Sequence, residues 1–193
     1  MAARNRMPPW HETIRLANGR EVLVRPIRPE DAVPLRAGFA LLQPDEVRQR
    51  FLYPMKEMSH EQADRLTRPN TRREFALVVA EPLPAGEALI GAVARIVVDD
   101  DGEAGEFAIL VSHYINGMGL GRHLMRRLVR WAKGRKLERV YGDVLESNQP
   151  MQQLAASLDF RRAPGDSPGL VRMVLDVPKP KPRPRPPSLQ PAV

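Results

Sequence analysis

Apolar positions along the chain change their period several times, and each change marks an element. Thr13 to Leu16 and Val22 to Ile27 flank Ala17-Asn18-Gly19-Arg20, and Asn-Gly between two strand-like runs predicts a hairpin. Pro29-Glu30-Asp31 opens a helical stretch to Leu42, with acidic residues in the first turn, where the helix dipole favours them. A second helical segment runs from Asp45 to Leu52. A third follows Ser59, whose Gln62 three residues on suggests a capping box. Phe75 to Ala80, Leu89 to Val98 and Phe107 to Val111 are apolar, β-branched-rich runs divided by Pro/Gly and Asp/Gly turns, which predicts three consecutive antiparallel strands. From Gly119 to Leu137 the period becomes helical, with Leu120, Leu124, Leu128 and Trp131 on one face, Val129 and Ala132 beside them, and arginines opposite. A strand at Arg139 to Leu145, an amphipathic helix at Met151 to Leu158 and a strand at Leu170 to Val177 complete the order. No internal repeat is evident.

The ends break the pattern. Residues 178–193, PKPKPRPRPPSLQPAV, have little apolar surface to bury and too many prolines for a hydrogen-bonded ladder, so an extended, polyproline-like tail is expected there. Residues 1–11 are expected to be loose, leaving one domain over 12–177, a size that one α/β core suits. The tail also changes the meaning of the charge. Of the formal +7, four units come from Lys179, Lys181, Arg183 and Arg185. The other basic cluster, Arg122 to Lys136, lies on one helix and reads as a solvated face; its one aromatic residue, Trp131, belongs to the apolar face, so nucleic-acid binding ranks last. The chain has no cysteine, which excludes disulfides and thiol nucleophiles and removes the commonest soft zinc ligand, so no metal is expected. No apolar run approaches the roughly 20 residues of a membrane span, and a cytoplasmic location without membrane contact is the expectation.

Chemistry concentrates in one stretch. The strand ending at Val111 runs through Ser112-His113-Tyr114-Ile115-Asn116-Gly117-Met118-Gly119-Leu120-Gly121-Arg122 into the long helix. Gly117, Gly119 and Gly121 remove Cβ atoms where the backbone turns sharply and approaches something closely. Free amides at a helix N-terminus, backed by the dipole, make an anion site, and Arg122 on the first turn can add a charge-assisted contact to a phosphate. The spacing matches neither a P-loop nor a dinucleotide fingerprint, and a tight turn that merely needs glycine would look the same.

The segment resembles the coenzyme A loop of the GNAT superfamily, Gln/Arg-x-x-Gly-x-Gly/Ala, with Asn116, Gly119 and Gly121 on the patterned positions and Asn116 a departure. Downstream, Val144 to Met151, followed by Asp159-Phe160, resembles the family's second signature, a strand, then Asn, then a helix closed by Gly-Phe; Asp159 replaces the usual Gly. Val24-Arg25-Pro26-Ile27-Arg28-Pro29-Glu30-Asp31, with Glu106-Phe107-Ala108 and Asn148-Gln149-Pro150-Met151, looks most like the acetyltransferase domain of bacterial protein lysine acetyltransferases that modify acyl-CoA synthetases. The resemblance implies an α/β (α+β) GNAT fold, a mixed, mostly antiparallel sheet of six to seven strands flanked by helices. It also implies acetyl-CoA as the acyl donor. Backbone groups of Ile109 and Val111 would pair with the pantetheine arm, and amides of Gly117, Met118, Gly119, Leu120, Gly121 and Arg122 would hold the diphosphate. Asn148 would bond the cofactor, although a helix N-cap before Pro150 is an equal reading of the same residue, and both can hold.

Acyl transfer to an amine needs a neutral amine and a polarised thioester carbonyl. Glu106 is the first candidate base, at the position of the strand glutamate in the lysine acetyltransferase group, with partial burial expected to raise its pKa. An exposed carboxylate at a strand start is the alternative. His113, between strand and loop, is the second candidate, or a solvated loop residue. The amide of Val111 or a neighbour would polarise the carbonyl. Many GNAT enzymes carry an acidic tyrosine seven residues after the Asn; here that position is Ala155. The leading expectation is an N-acetyltransferase acting on a protein lysine, with a small amine as the other acceptor class and a catalytically idle acyl-CoA sensor as the other function. Phe51, Met55 and Met58 either shape an apolar entrance on the acceptor side or fill the core.

Overall fold

The computed structural model describes residues 10–178, so the expected loose start and the Pro/Lys/Arg tail lie almost wholly outside the described residues. The hairpin forms as β1 (Glu12–Arg15) and β2 (Glu21–Pro26), closed by Gly19 at φ 83° and a 2.8 Å bond from the Leu16 amide to the Arg20 carbonyl. A 3-10 turn at Pro29–Asp31 leads into α1 (Ala32–Phe39), which stops short of Leu42 because the chain tightens after Gly38. Helices α2 (Pro44–Phe51) and α3 (His60–Thr67) follow. The capping box of α3 is formed in both directions, Gln62 N–H donating to Ser59 Oγ at 3.1 Å and Ser59 N–H to Gln62 Oε1 at 2.9 Å. Then come β3 (Glu74–Ala80), β4 (Ile90–Val98), β5 (Ala104–Val111), α4 (Leu120–Gly134), β6 (Arg139–Leu145), α5 (Gln149–Ala156), β7 (Arg161–Pro164) and β8 (Leu170–Asp176).

The strands make one sheet in the order β1-β2-β3-β4-β5-β6-β8-β7, antiparallel throughout except for the parallel pair β5 and β6. Eight strands replace the six to seven expected. The additional one is β7, Arg-Arg-Ala-Pro, a largely exposed edge strand that has neither the apolar alternation nor the β-branched residues by which a strand is recognised. Strand β5 also starts three residues earlier than its apolar run, because Ala104, Gly105 and Glu106 are already paired with β6.

Helices cover both faces of the sheet. Leu77 and Val79 of β3 pack with α4 residues Leu124 and Leu128 in one cluster, while Ala76, Val78 and Ala80 pack with Leu35, Val47 and Ala63 of α1 to α3 in the other. A strand buried on both sides has no polar face, which is why β3 and β4 read as unbroken apolar runs. The α1–α3 layer is joined to the sheet by a fully buried ion pair. Arg25 of β2 makes two bonds to Asp31, 2.7 and 2.8 Å long, and Asp31 Oδ2 also accepts from the Arg28 amide at 2.9 Å. That is the structural content of the Arg25-Pro26-Ile27-Arg28-Pro29-Glu30-Asp31 segment.

Candidate active site

The sheet comes apart in its middle. Parallel pairing of β5 with β6 is confined to Ala104–Arg139, Gly105–Val140 and Glu106–Tyr141, whereas β5 runs on to Val111 beside β4 and β6 runs on to Leu145 beside β8. Residues Phe107–Val111 and Gly142–Leu145 therefore present backbone edges to a gap. Gly142 stands where the strands part; a Cβ there would lie 2.8 Å from the Phe107 carbonyl oxygen. The Ser112 amide bonds the Gly91 carbonyl of β4 at 2.9 Å, and backbone groups alternate in direction along a strand. Ile109 and Val111 consequently turn their amides and carbonyls into the gap.

A cleft of about 590 Å³ occupies this gap. The start of α4 forms one wall. Gly117 and Gly119 take left-handed φ values of 74° and 80°, which any side chain would strain, and Gly119 caps the helix with no side-chain bond to its amides. The first helical amides, Leu120 to Arg122, have no intrahelical partner, and no acidic residue sits in that turn to compete for them. A Cβ on Gly121 would come within 3.0 Å of Leu154 Cδ2 and face Val111, so glycine keeps that passage open. A diphosphate with an extended amide-bearing arm matches this cradle: an anion for the helix start, peptide-like groups for the open edges.

The second wall carries side chains. Asn148 caps α5, its Oδ1 accepting from the Met151 amide at 3.2 Å, and it lines the cleft as well. Glu106 lines the cleft at the point of divergence. Its carboxylate makes no hydrogen bond or ion pair among the described residues, and the residue is exposed, as the alternative reading of a carboxylate near a strand start had it, although it faces the cleft. Desolvation by its other neighbours, then the charges of Asp143 and Asp99, hold its pKa above the usual value, against the pull of Arg172 and Arg50. Both neighbouring carboxylates are engaged elsewhere. Asp143 receives two 2.8 Å bonds from Arg172, and Asp99 accepts from Tyr141 at 3.0 Å. Burial and the bond to Asp99 push Tyr141 up to about 12.

Of the residues singled out in the sequence, Glu106, Ile109, Val111, Asn116, Gly117, Gly119, Leu120, Gly121, Arg122 and Asn148 all line this cleft. Met118 does not; its side chain packs against the core cluster on the α4 face. His113 does not either. It is exposed and turned toward α2, where Glu46 accepts both its amide at 2.6 Å and its Nδ1 at 3.0 Å. Desolvation alone would raise the Glu46 pKa, but these bonds and one from the Gln43 amide bring it below the ordinary value. Arg122 donates to the Ser157 carbonyl at 3.4 Å. Asp159 adopts φ 67°, the left-handed turn its family position calls for, and sets Phe160 edge-on to Phe107 at 5.4 Å. Arg50, Tyr141 and Asp143 escaped notice in the sequence. The alternation of Tyr141, Asp143 and Leu145 against Val140, Gly142 and Val144 put the first two on one face; nothing local marks Arg50.

The model of the acetyltransferase (GNAT) domain matches residues 21–161. The chain belongs to the GNAT acetyltransferase family. It is 29% identical over 160 residues to an acetyltransferase of Pseudomonas aeruginosa, a match covering 82% of this chain and 84% of that one. The GNAT domain of S. lividans PAT superposes with a TM-score of 0.76 at 23% identity, covering 89% of this chain and 99% of that one. A Salmonella typhimurium protein, yncA, solved with its cofactor acetyl-CoA, has a TM-score of 0.63 at 16% identity over 81% of this chain and 94% of that one. The eight-stranded, mostly antiparallel sheet flanked by helices is thus the GNAT fold, and the chain is an N-acetyltransferase by family. Among the described residues no helix is long and apolar enough to cross a membrane, and no cluster of His, Cys, Asp or Glu is disposed to hold a metal.

Proposed function

We propose that this GNAT protein moves an acetyl group from acetyl-CoA to a protein lysine by direct attack, with Glu106 as general base. The observation that carries the reading is the coincidence of the Glu106 carboxylate with the point where β5 and β6 part. When bound, acetyl-CoA supplies an acyl group activated as a thioester. The open edge at Ile109 and Val111 holds the pantetheine arm, and the Val111 amide polarises the acyl carbonyl. The amides from Gly117 to Arg122 hold the diphosphate. Glu106, displaced upward in pKa and without a competing partner, accepts the proton of the incoming ammonium so that the neutral amine attacks. His113 is held by Glu46 outside the cleft lining and takes no part. Ala155 is fully buried and offers no acid, so the leaving thiolate, with an ordinary pKa near 8.5, takes its proton from water or the departing ammonium.

The test is thiol release from acetyl-CoA by wild type and Glu106→Gln, against a panel of acyl-CoA synthetases and small amines, beside calorimetry of acetyl-CoA binding. A variant that binds acetyl-CoA normally but turns over slowly establishes Glu106 as the base, and the panel names the acceptor class. The buried Ala155 favours one second reading, a GNAT fold that binds acyl-CoA as a sensor; binding with no turnover on any acceptor would support it.

A further inference from the structure

Two cations line the cleft with no ion pair among the described residues: Arg122, assigned above to the diphosphate, and Arg50, to which nothing has yet been assigned. Arg50 lies on the last turn of α2, half-buried, stacked over the Phe51 ring at 4.9 Å, with no hydrogen bond or ion pair. Glu106 acts on it only at a distance. Desolvation and the nearby charge of Arg95 lower its pKa to about 10, so it stays protonated at neutral pH.

Arg50, Phe51 and Leu110 line both the main cleft and a second, smaller cavity of about 50 Å³ that opens between α1–α3 and strands β4 and β5. This cavity is apolar apart from Ser112 and two guanidinium groups. One is Arg95, whose terminal nitrogens bond Glu74 and the Leu66 carbonyl while its buried Nε has no partner; the other is Arg50. Glu74 pairs with Arg95, and Glu106 attracts Arg50 without bonding it, so the Arg50 guanidinium has hydrogen-bond donors unused at the threshold of a mostly apolar cavity, where an incoming anion can take them. Leu110 precedes Val111, whose amide faces the thioester in the reading above, so the cavity mouth adjoins the reacting carbonyl.

We propose that Arg50 is a carboxylate receptor at this threshold and makes the enzyme prefer substrates with a carboxylate a short chain away from the reacting carbon. The first source is the acyl group itself, a coenzyme A thioester of a short dicarboxylic acid; the second is an acidic side chain beside the acceptor amine. The planar fork of Arg50 suits a carboxylate bidentately, and a cavity of this size admits a few heavy atoms but no long acyl chain. The inference rests on the proposed acyl transfer at this cleft, and its test is built so that the two fail separately.

Calorimetry compares CoA, butyryl-CoA and succinyl-CoA, the last two alike in chain length but not in charge. Wild type is expected to bind succinyl-CoA about tenfold more tightly than butyryl-CoA. Arg50→Met removes that difference, read as the ratio of the two thioester affinities within one protein, and Arg50→Lys, a point charge without the fork, restores part of it. A parallel arm measures acetyl transfer to lysine peptides flanked by glutamate or alanine. If wild type shows no thioester preference but favours the acidic peptide about tenfold, and Arg50→Met loses that preference, the carboxylate belongs to the acceptor. Equal thioester affinities and equal peptide rates in wild type, with CoA bound normally, overturn the receptor. Failure of CoA itself to bind overturns the acyl-transfer reading instead. The wild-type comparisons need no variant to fold.

Discussion

The two sides of the gap between β5 and β6 recognise by different means. Toward α4 and α5 the site is made of backbone: glycines at left-handed φ, unpaired helical amides, and the open edge of β5. Toward α1–α3 and β8 it is made of side chains, Glu106 on β5, Asp143 on β6 and Arg50 on α2, with Arg172 of β8 bonded to Asp143. A backbone site tolerates substitution of its side chains, so Asn116 in place of Gln or Arg leaves the cradle of amides intact. A side-chain site changes its ligand whenever one residue changes.

The helical layer that carries Arg50 is joined to the sheet by the Arg25–Asp31 pair, and the largest effect tests whether that layer and the cofactor half are independent. Asp31→Asn leaves Arg25 as a buried charge without its partner, and is expected to cost about 3–5 kcal/mol of stability in denaturant unfolding. Because the pair lies under α1 and not under α4, acetyl-CoA affinity measured on protein that remains folded should be unchanged. Comparable loss of affinity would mean that the two halves are one unit.

Next in size is the base. Glu106→Gln should lower kcat/KM about 10²- to 10⁴-fold while leaving acetyl-CoA binding as it was. The base works deprotonated, so wild-type kcat/KM should rise with pH through a pKa above the ordinary glutamate range, and the variant should lack that limb. The stability effect has the opposite sense. A carboxyl with a raised folded-state pKa favours the fold most when protonated, so at pH 7 the glutamine variant should be at least as stable as wild type. The difference should vanish below the unfolded pKa of glutamate, where both side chains are neutral.

The same division explains what the sequence disclosed. The cofactor side lies on one continuous stretch, Glu106 to Arg122, where glycine placement carries the geometry, so it could be read without a fold. Asn148 could be read as both cap and cleft residue because a cap needs only its local neighbours. Strand β7 was hidden because Arg161-Arg162-Ala163-Pro164 has no apolar face, its partner β8 supplying the pairing. The ends of α1 and α4 were overextended for a related reason: Leu42 and Leu137 are apolar for packing after the helix has ended, and Lys136 at φ 61° breaks the run. Arg50 was invisible because its meaning depends on α2 lying over β5, a contact between residues far apart in the chain. Met58 and Phe51, left open between entrance and core, line the small cavity, and Met58 is also buried in the α1–α3 cluster.

On the backbone side, Gly121→Val fills the passage between Leu154 and Val111 and should weaken acetyl-CoA binding about 100-fold by calorimetry, an effect of occlusion on the order of 3 kcal/mol. The nearest obstacle is the end of a leucine side chain, which can shift, so the melting temperature should fall only a few degrees. Unfolding of the variant would show that the glycine serves packing and not the ligand.

The smallest effect separates the two uses of Asn148, the residue where the halves meet. Asn148→Ala removes the 3.2 Å bond to the Met151 amide and should cost about 1 kcal/mol, a melting shift of about 2–4 °C for a chain of this size. Asn148→Asp keeps an acceptor for that amide and adds a negative charge at the start of α5, which the helix dipole favours, so its stability should match wild type. If Asn148 also donates to the cofactor through its amide nitrogen, the aspartate can no longer do so and its charge opposes the diphosphate. Acetyl-CoA affinity should then fall about tenfold in Asn148→Asp while the melting temperature holds. Equal affinity in the two proteins would leave Asn148 a helix cap alone and move the boundary of the cofactor half back to Val111 and the start of α4.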